Sequence, residues 1–166
     1  MKRYYLLIAT ILLLLTGCKN KCEIDYPKNI KPIDWENYND VNTVYWNYVF
    51  YNIPRKINEE DRGKDILICG FASNWDSRPP SANGFIIVDN ANEYDPSIHI
   101  QPSFWEQDSH NQLQTILDTG YLANMKCYVK GKLYFKNLTP DMGECQTYQP
   151  IITIDNVDAI YFKEEE

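Results

Sequence analysis

The chain has 166 residues, of which 23 are acidic and 16 basic, for a formal net charge of −7, and 44% of it is hydrophobic. That length allows one domain of ordinary size, with enough core to fold without obligatory staples. The acidic balance disfavours nonspecific attraction to nucleic acid or to anionic headgroups, and it favours solubility or a basic partner.

At the N-terminus, Lys2 and Arg3 precede an apolar run from Leu6 to Leu15 that stops at Thr16-Gly17-Cys18. The run is too short to span a bilayer, which takes roughly 20 apolar residues. Its charged start, apolar middle and small closing residues fit a cleaved secretory signal over residues 1–17. The ending Leu15-Thr16-Gly17-Cys18 resembles the bacterial lipobox. That resemblance, confined to residues 1–18, implies cleavage before Cys18, acylation of its sulfur and a protein anchored by lipid in the bacterial cell envelope. The bland alternative is a plain secretory signal with Cys18 left free. Two acyl chains suffice for stable anchoring, since each buried methylene contributes about 0.8 kcal/mol. Lys19, where inner-membrane lipoproteins carry aspartate, points to the outer membrane. Loss of residues 1–17 removes two positive charges and no negative ones, so the mature chain carries −9.

Residues 18–40 read as the lipidated tether. Lys, Asn and Asp dominate there, and Pro27 and Pro32 break any periodicity. Cys22 within it is either a disulfide partner or an idle thiol. Residues 41–62 form an aromatic-rich extension containing Tyr45, Trp46, Tyr48, Phe50 and Tyr51. Val41, Val44, Tyr45 and Tyr48 recur at helical spacing behind an N-cap at Asp40, which predicts a short helix ending near Pro54, although Val44, Trp46, Tyr48 and Phe50 also alternate as a strand would.

From Gly63 the pattern is one of strands. "DILICGF" is a continuous apolar run, the turn-rich "SNWDSRPPSANG" separates it from "GFIIVDN", and Ile98 and Ile100 mark a third strand. Leu113, Ile116 and Leu117 then predict a helix with an N-cap at Asp108 or Ser109 and a stop at Gly120. In "MKCYVKGKLYFKN", Cys127, Val129, Gly131, Leu133 and Phe135 alternate with Lys126, Tyr128, Lys130, Lys132, Tyr134 and Lys136, which predicts one apolar and one Lys/Tyr face. The middle glycine on the apolar face suits a bend or a close backbone approach. A last strand is predicted over Pro150–Phe162, with a bulge near Asp155-Asn156.

The order strand, strand, strand, helix, strand, strand over 63–166 defines a mostly β chain. It resembles the OB-fold, a five-stranded Greek-key barrel with its helix between strands 3 and 4. "GKDILICGFA", "GFIIVDN", "VKGKLYF" and "PIITIDNVDAIYF" are similar to the OB-fold domains of small bacterial lipoproteins. That resemblance covers about residues 63–162 and implies a binding module, with no catalytic signature attached to it.

Such barrels bind across strands 2 and 3 and the flanking loops. Trp75 and Arg78 in the first long loop, Tyr94 in the next and Tyr128 are therefore the candidate binding residues, because Trp, Tyr and Arg carry disproportionate binding energy; Trp75 capping the barrel end is the packing alternative. The Lys/Tyr face suits an anionic glycan, a protein or, less readily given the charge, nucleic acid, and equally a solvated face that guards against edge pairing. Cys69 and Cys127 fall on neighbouring strands and form a candidate disulfide, while Cys145 could bridge Cys22 or stay free. His99 and His110 lack partners at metal-ligand spacing, so neither metal nor cofactor is expected. The carboxylates Asp89, Glu93, Asp95, Asp155 and Asp158 assign no catalytic pair. The expected function is binding of a protein, peptide or glycan by a membrane-anchored module. The alternative is an envelope hydrolase of glycanase or nuclease type, which would need convergent carboxylates in a deep cleft.

Overall fold

The computed structural model describes residues 29–48, 59–74, 79–90, 96–138 and 148–163. The lipobox, Cys22 and Cys145 lie outside these residues. Asp40 accepts the Thr43 backbone N–H on Oδ1 at 2.6 Å, which makes it the N-cap expected for a helix here. That helix, α1, runs Val41–Tyr48 and buries Val41, Thr43, Val44 and Tyr48. It follows directly on a short strand, β1 (Tyr38–Asp40), which pairs in parallel with Leu67–Cys69. The last residues of the expected tether are thus part of the sheet, and the folded domain begins before Val41.

The remaining strands are β2 (Asp65–Ser73), β3 (Phe85–Val88), β4 (Ser97–Pro102), β5 (Lys126–Asn137), β6 (Tyr148–Ile154) and β7 (Ile160–Lys163). A second helix, α2 (Gln107–Leu122), lies between β4 and β5. The hydrogen-bonded order β2-β3-β4-β6-β5 closes on itself through the β2–β5 pairing. Within this ring only β4 and β6 run parallel. It is the five-stranded OB-fold-like barrel that the element order predicts. β1 and β7 are additions. β1 fills the edge of β2 ahead of β3, and β7 pairs with Lys126–Val129 of β5, ahead of the stretch that pairs with β6.

The expected single strand over Pro150–Phe162 is therefore two. Both run antiparallel to β5, β6 along Lys132–Asn137 and β7 along Lys126–Val129, and the break expected as a bulge near Asp155-Asn156 is a longer interruption that includes a 3-10 turn at Val157–Ala159, past which the pairing with β4 does not continue. The alternation in β5 is as expected. Cys127, Val129, Leu133 and Phe135 are buried in the core, and the Lys/Tyr positions face outward. At Gly131 a side chain would collide with the Thr153 carbonyl and Ile152, so the glycine permits the close approach of β6.

α1 packs on β1, β2, β4 and β6, and Tyr48 lies 4.7 Å from Phe135 by ring centroids. α2 covers the other end of the barrel, holding Leu113 and Leu117 in the core. It starts at the Glu106 N-cap, ahead of Asp108. Its stop is Asn124 rather than Gly120: Asn124 has φ of 51°, its N–H donates to the Tyr121 carbonyl and the Met125 N–H donates to Gly120. That is a Schellman ending with asparagine in the left-handed position. Gly120 lies inside the helix, against the ring of Phe162 on β7.

Cys69 and Cys127 are not joined by the expected disulfide, and both are buried. Cys69 pairs with Tyr128 and Gly70 with Cys127 across β2–β5, so the two thiols project from opposite faces of the sheet. Burial, and secondarily Cys69, raise the Cys127 thiol well above its usual range.

Candidate functional site

The groove expected over strands 2 and 3 of the barrel, here β3 and β4, is not an open one at β3. All four β3 residues are buried, including Ile86 and Val88, which lie outside the barrel core cluster. Trp75, Arg78 and Tyr94 lie outside the described residues. Tyr128 belongs elsewhere: β5 is separated from the β3–β4 pair by β2 on one side and β6 on the other.

On that other face the register brings together tyrosines from separate strands. Tyr128 stacks on Tyr161 at 5.0 Å between centroids with planes 4° apart, and Tyr38 meets it edge-on at 5.6 Å. Lys163 sits over Tyr128 and Tyr161 at 5.3 and 5.6 Å. Desolvation first, then the neighbouring Cys69 thiol, raises the Tyr128 phenol above its ordinary value. Lys132 of the same stripe donates to Asp65 at 3.0 Å, which raises its ammonium pKa. The stripe is therefore partly self-neutralised, with stacked rings shielding the seam between β5 and β7.

A second aromatic stands alone in its exposure. Trp105, in the segment that leads from β4 into α2, is 82% exposed although it is the largest kind of side chain. Its neighbour Phe104 turns inward and is buried. His110, one turn into α2, links the two: its ring stacks on Trp105 at 6.4 Å with planes 23° apart, and it meets Phe104 edge-on at 5.5 Å. His110 Nε2 donates to the Phe104 carbonyl at 2.8 Å, which leaves Nδ1 as the acceptor of the neutral ring.

Beside the indole lies a cleft of about 380 Å³ lined by Ala82, Asn83, Trp105, Gln107, His110, Asn111 and Gln114. Gln114 forms its wall. The Oε1 accepts the Ala82 N–H at 2.9 Å, while the amide NH2 donates to the Pro80 carbonyl at 3.0 Å and to Asp118 at 2.8 Å. These bonds fasten the end of the β2–β3 loop onto α2. Gln107 donates to Asn111 Oδ1 at 3.0 Å. Trp105 is not among the residues expected from sequence. The signal available was the polar company of the indole in "WEQDSHNQ".

Four of the described carboxylates, Asp34, Asp40, Asp89 and Asp155, are committed to structure. Asp40 and Asp89 line one recess, of about 320 Å³, with Asn29, Lys31, Asn42 and Trp46. Asp40 caps α1, and Asp89 accepts Asn42 Nδ2 at 2.5 Å. Asp155 accepts the Ser103 hydroxyl at 2.8 Å. Asp34, lowered by the Asn37 side chain and then by the backbone N–H groups of Glu36 and Asn37, closes a turn. Glu93 and Asp95 lie outside the described residues. Among the described residues no group of three or more His, Cys, Asp or Glu is placed to hold a metal ion. Burial, and secondarily the charge of Lys136, push His99 on β4 down to about 4.

No protein-family model matches the chain, nor does any curated protein or any solved structure. Fold and sites together define an OB-fold-like barrel with a stacked tyrosine face over one seam and a cleft floored by an exposed indole at the α2 end. Among the described residues no helix is long and apolar enough to cross a membrane.

Proposed function

We propose that this chain is a lipoprotein of the bacterial cell envelope, acylated on Cys18, held in the outer membrane and acting there as a binding module. The barrel is displayed on a tether, and its ligand, a protein, peptide or glycan, docks at the α2 end. The observation that carries the reading is Trp105: an indole 82% exposed beside a cleft loses apolar hydration only when something covers it. The signal-like residues 1–17 and the lipobox-like Leu15-Thr16-Gly17-Cys18 support the address.

The test has two arms. Full-length protein should partition with membranes and incorporate labelled palmitate, and a Cys18→Ala variant should do neither. Ligand retention from envelope extracts should depend on Trp105 and survive Tyr161→Ala on the other face. Membrane association that is indifferent to Cys18 overturns the anchor, and retention indifferent to Trp105 overturns the site.

A further inference from the structure

We infer that the Trp105 cleft is a site for a neutral oligosaccharide, with a pyranose ring laid on the indole and its hydroxyls held by side-chain amides. The inference rests on the binding-module reading above and names the ligand class it leaves open. Four observations converge on it. The floor is a flat aromatic face, 82% exposed, and a pyranose presents a flat face of C–H bonds that covers such a ring and leaves its hydroxyls at the rim. The walls are amides and an imidazole, with no charged side chain among the lining residues. An anion would find no cation among them, and the carboxylates that adjoin the lining are engaged, Glu106 accepting the Trp105 backbone N–H at 3.2 Å and Asp118 the Gln114 amide at 2.8 Å.

The third observation concerns hydrogen-bonding capacity. Asn83's side-chain amide makes no bond among the described residues. The Gln107–Asn111 bond uses one group of each, leaving the Gln107 carbonyl oxygen and the Asn111 NH2 available. His110 Nδ1 and the Trp105 indole N–H add one acceptor and one donor. Each sugar hydroxyl is donor and acceptor at once, so a set of neutral groups of both kinds matches vicinal hydroxyls as it would match few other ligands. Fourth, the site is braced. Gln114 ties the loop bearing Asn83 to α2, and His110 is fixed by the Phe104 carbonyl, so little ordering remains for binding to impose. The cleft, at about 380 Å³, falls in the roughly 300–1,000 Å³ range of small-molecule sites.

Full-length protein in a sugar-free detergent should be titrated by calorimetry with tetrasaccharides of glucose, mannose and N-acetylglucosamine, and with tetragalacturonate as the anionic comparison. At least one neutral tetrasaccharide should bind with a dissociation constant of about 10 μM to 1 mM. Trp105→Ala should weaken it at least tenfold, and Gln107→Ala or Asn111→Ala about threefold or more. Tyr161→Ala should leave it unchanged, with unaltered melting curves showing that every variant is folded. No binding of any neutral tetrasaccharide at millimolar concentration, preference for tetragalacturonate, or indifference to Trp105→Ala each overturns the inference. If sugars fail while an envelope protein is retained through Trp105, the ligand class falls and the binding-module reading stands. If both fail, both fall.

Discussion

Val129 and Lys130 are adjacent and live in different solvents. Val129 is fully buried in the barrel, whereas Lys130 is exposed. Val129→Asp should destabilise by several kcal/mol through an unpaired buried charge, and Lys130→Glu should stay within about 0.5 kcal/mol; denaturant melts on both variants check the pair. Tyr48 is a subtler case. Its hydroxyl donates to Asp61 Oδ2 at 3.1 Å, and Lys64 holds the other oxygen at 2.8 Å, which ties α1 to the turn before β2. Burial first, and then Asp61, raise the Tyr48 phenol far above its ordinary range. Tyr48→Phe keeps the ring against Phe135 and removes the donor, so it should cost about 1 to 2 kcal/mol in the same assay. His99 sets a pH dependence. Its folded pKa is about 4 against 6.5 for an ordinary histidine, so between those values the unfolded chain binds the extra proton. Stability should therefore fall by about 1 to 3 kcal/mol as pH drops from 6.5 to 4, with no further loss from this group below 4, and His99→Gln should flatten that window.

At the scale of elements, Gly120 inverts a propensity rule. Alanine normally favours a helix interior over glycine by about 1 kcal/mol. Here a Cβ would enter the Phe162 ring, and Gly120→Ala should be net destabilising by about 1 to 3 kcal/mol, read from the shift in thermal midpoint. Reversal of that sign would mean that β7 yields. β5 was legible from sequence because a strict period of two over its whole length leaves one reading of its faces. β2 and β3 were legible instead as continuous apolar runs set off by turn-rich segments, and the helix from the 3.6-residue spacing of Leu113, Ile116 and Leu117. β1 was not: it has three residues, which is too few for a period, and its pairing with β2 is a tertiary choice. β6 and β7 merged because Ile152, Ile154 and Ile160 are buried alike and both strands run along β5, so little in their spacing marks the interruption between them. Trp105 escaped notice because exposure is a property of the packed molecule, whereas an indole beside a phenylalanine reads as core in one dimension.

For the whole molecule, the lipoprotein reading proposed above implies a mature chain of net charge −9, which disfavours adhesion to anionic headgroups, so on that reading membrane residence should rest on the acyl chains. Cys18→Ala protein should accordingly appear in the soluble fraction at low as well as high salt. The ring itself sets a schedule for folding. β2 is one of the earliest barrel strands to be made, yet its closing partner is β5, and the Asp65–Lys132 contact that marks the seam spans 67 positions of chain. A nascent chain that lacks β5 has no way to shut the barrel. Loop closure over such distances belongs to the millisecond-to-second regime of β-rich domains rather than to microseconds. A polypeptide threaded through a membrane before its fifth strand is synthesised would reach the far side still open, with the decisive pairing left to form there.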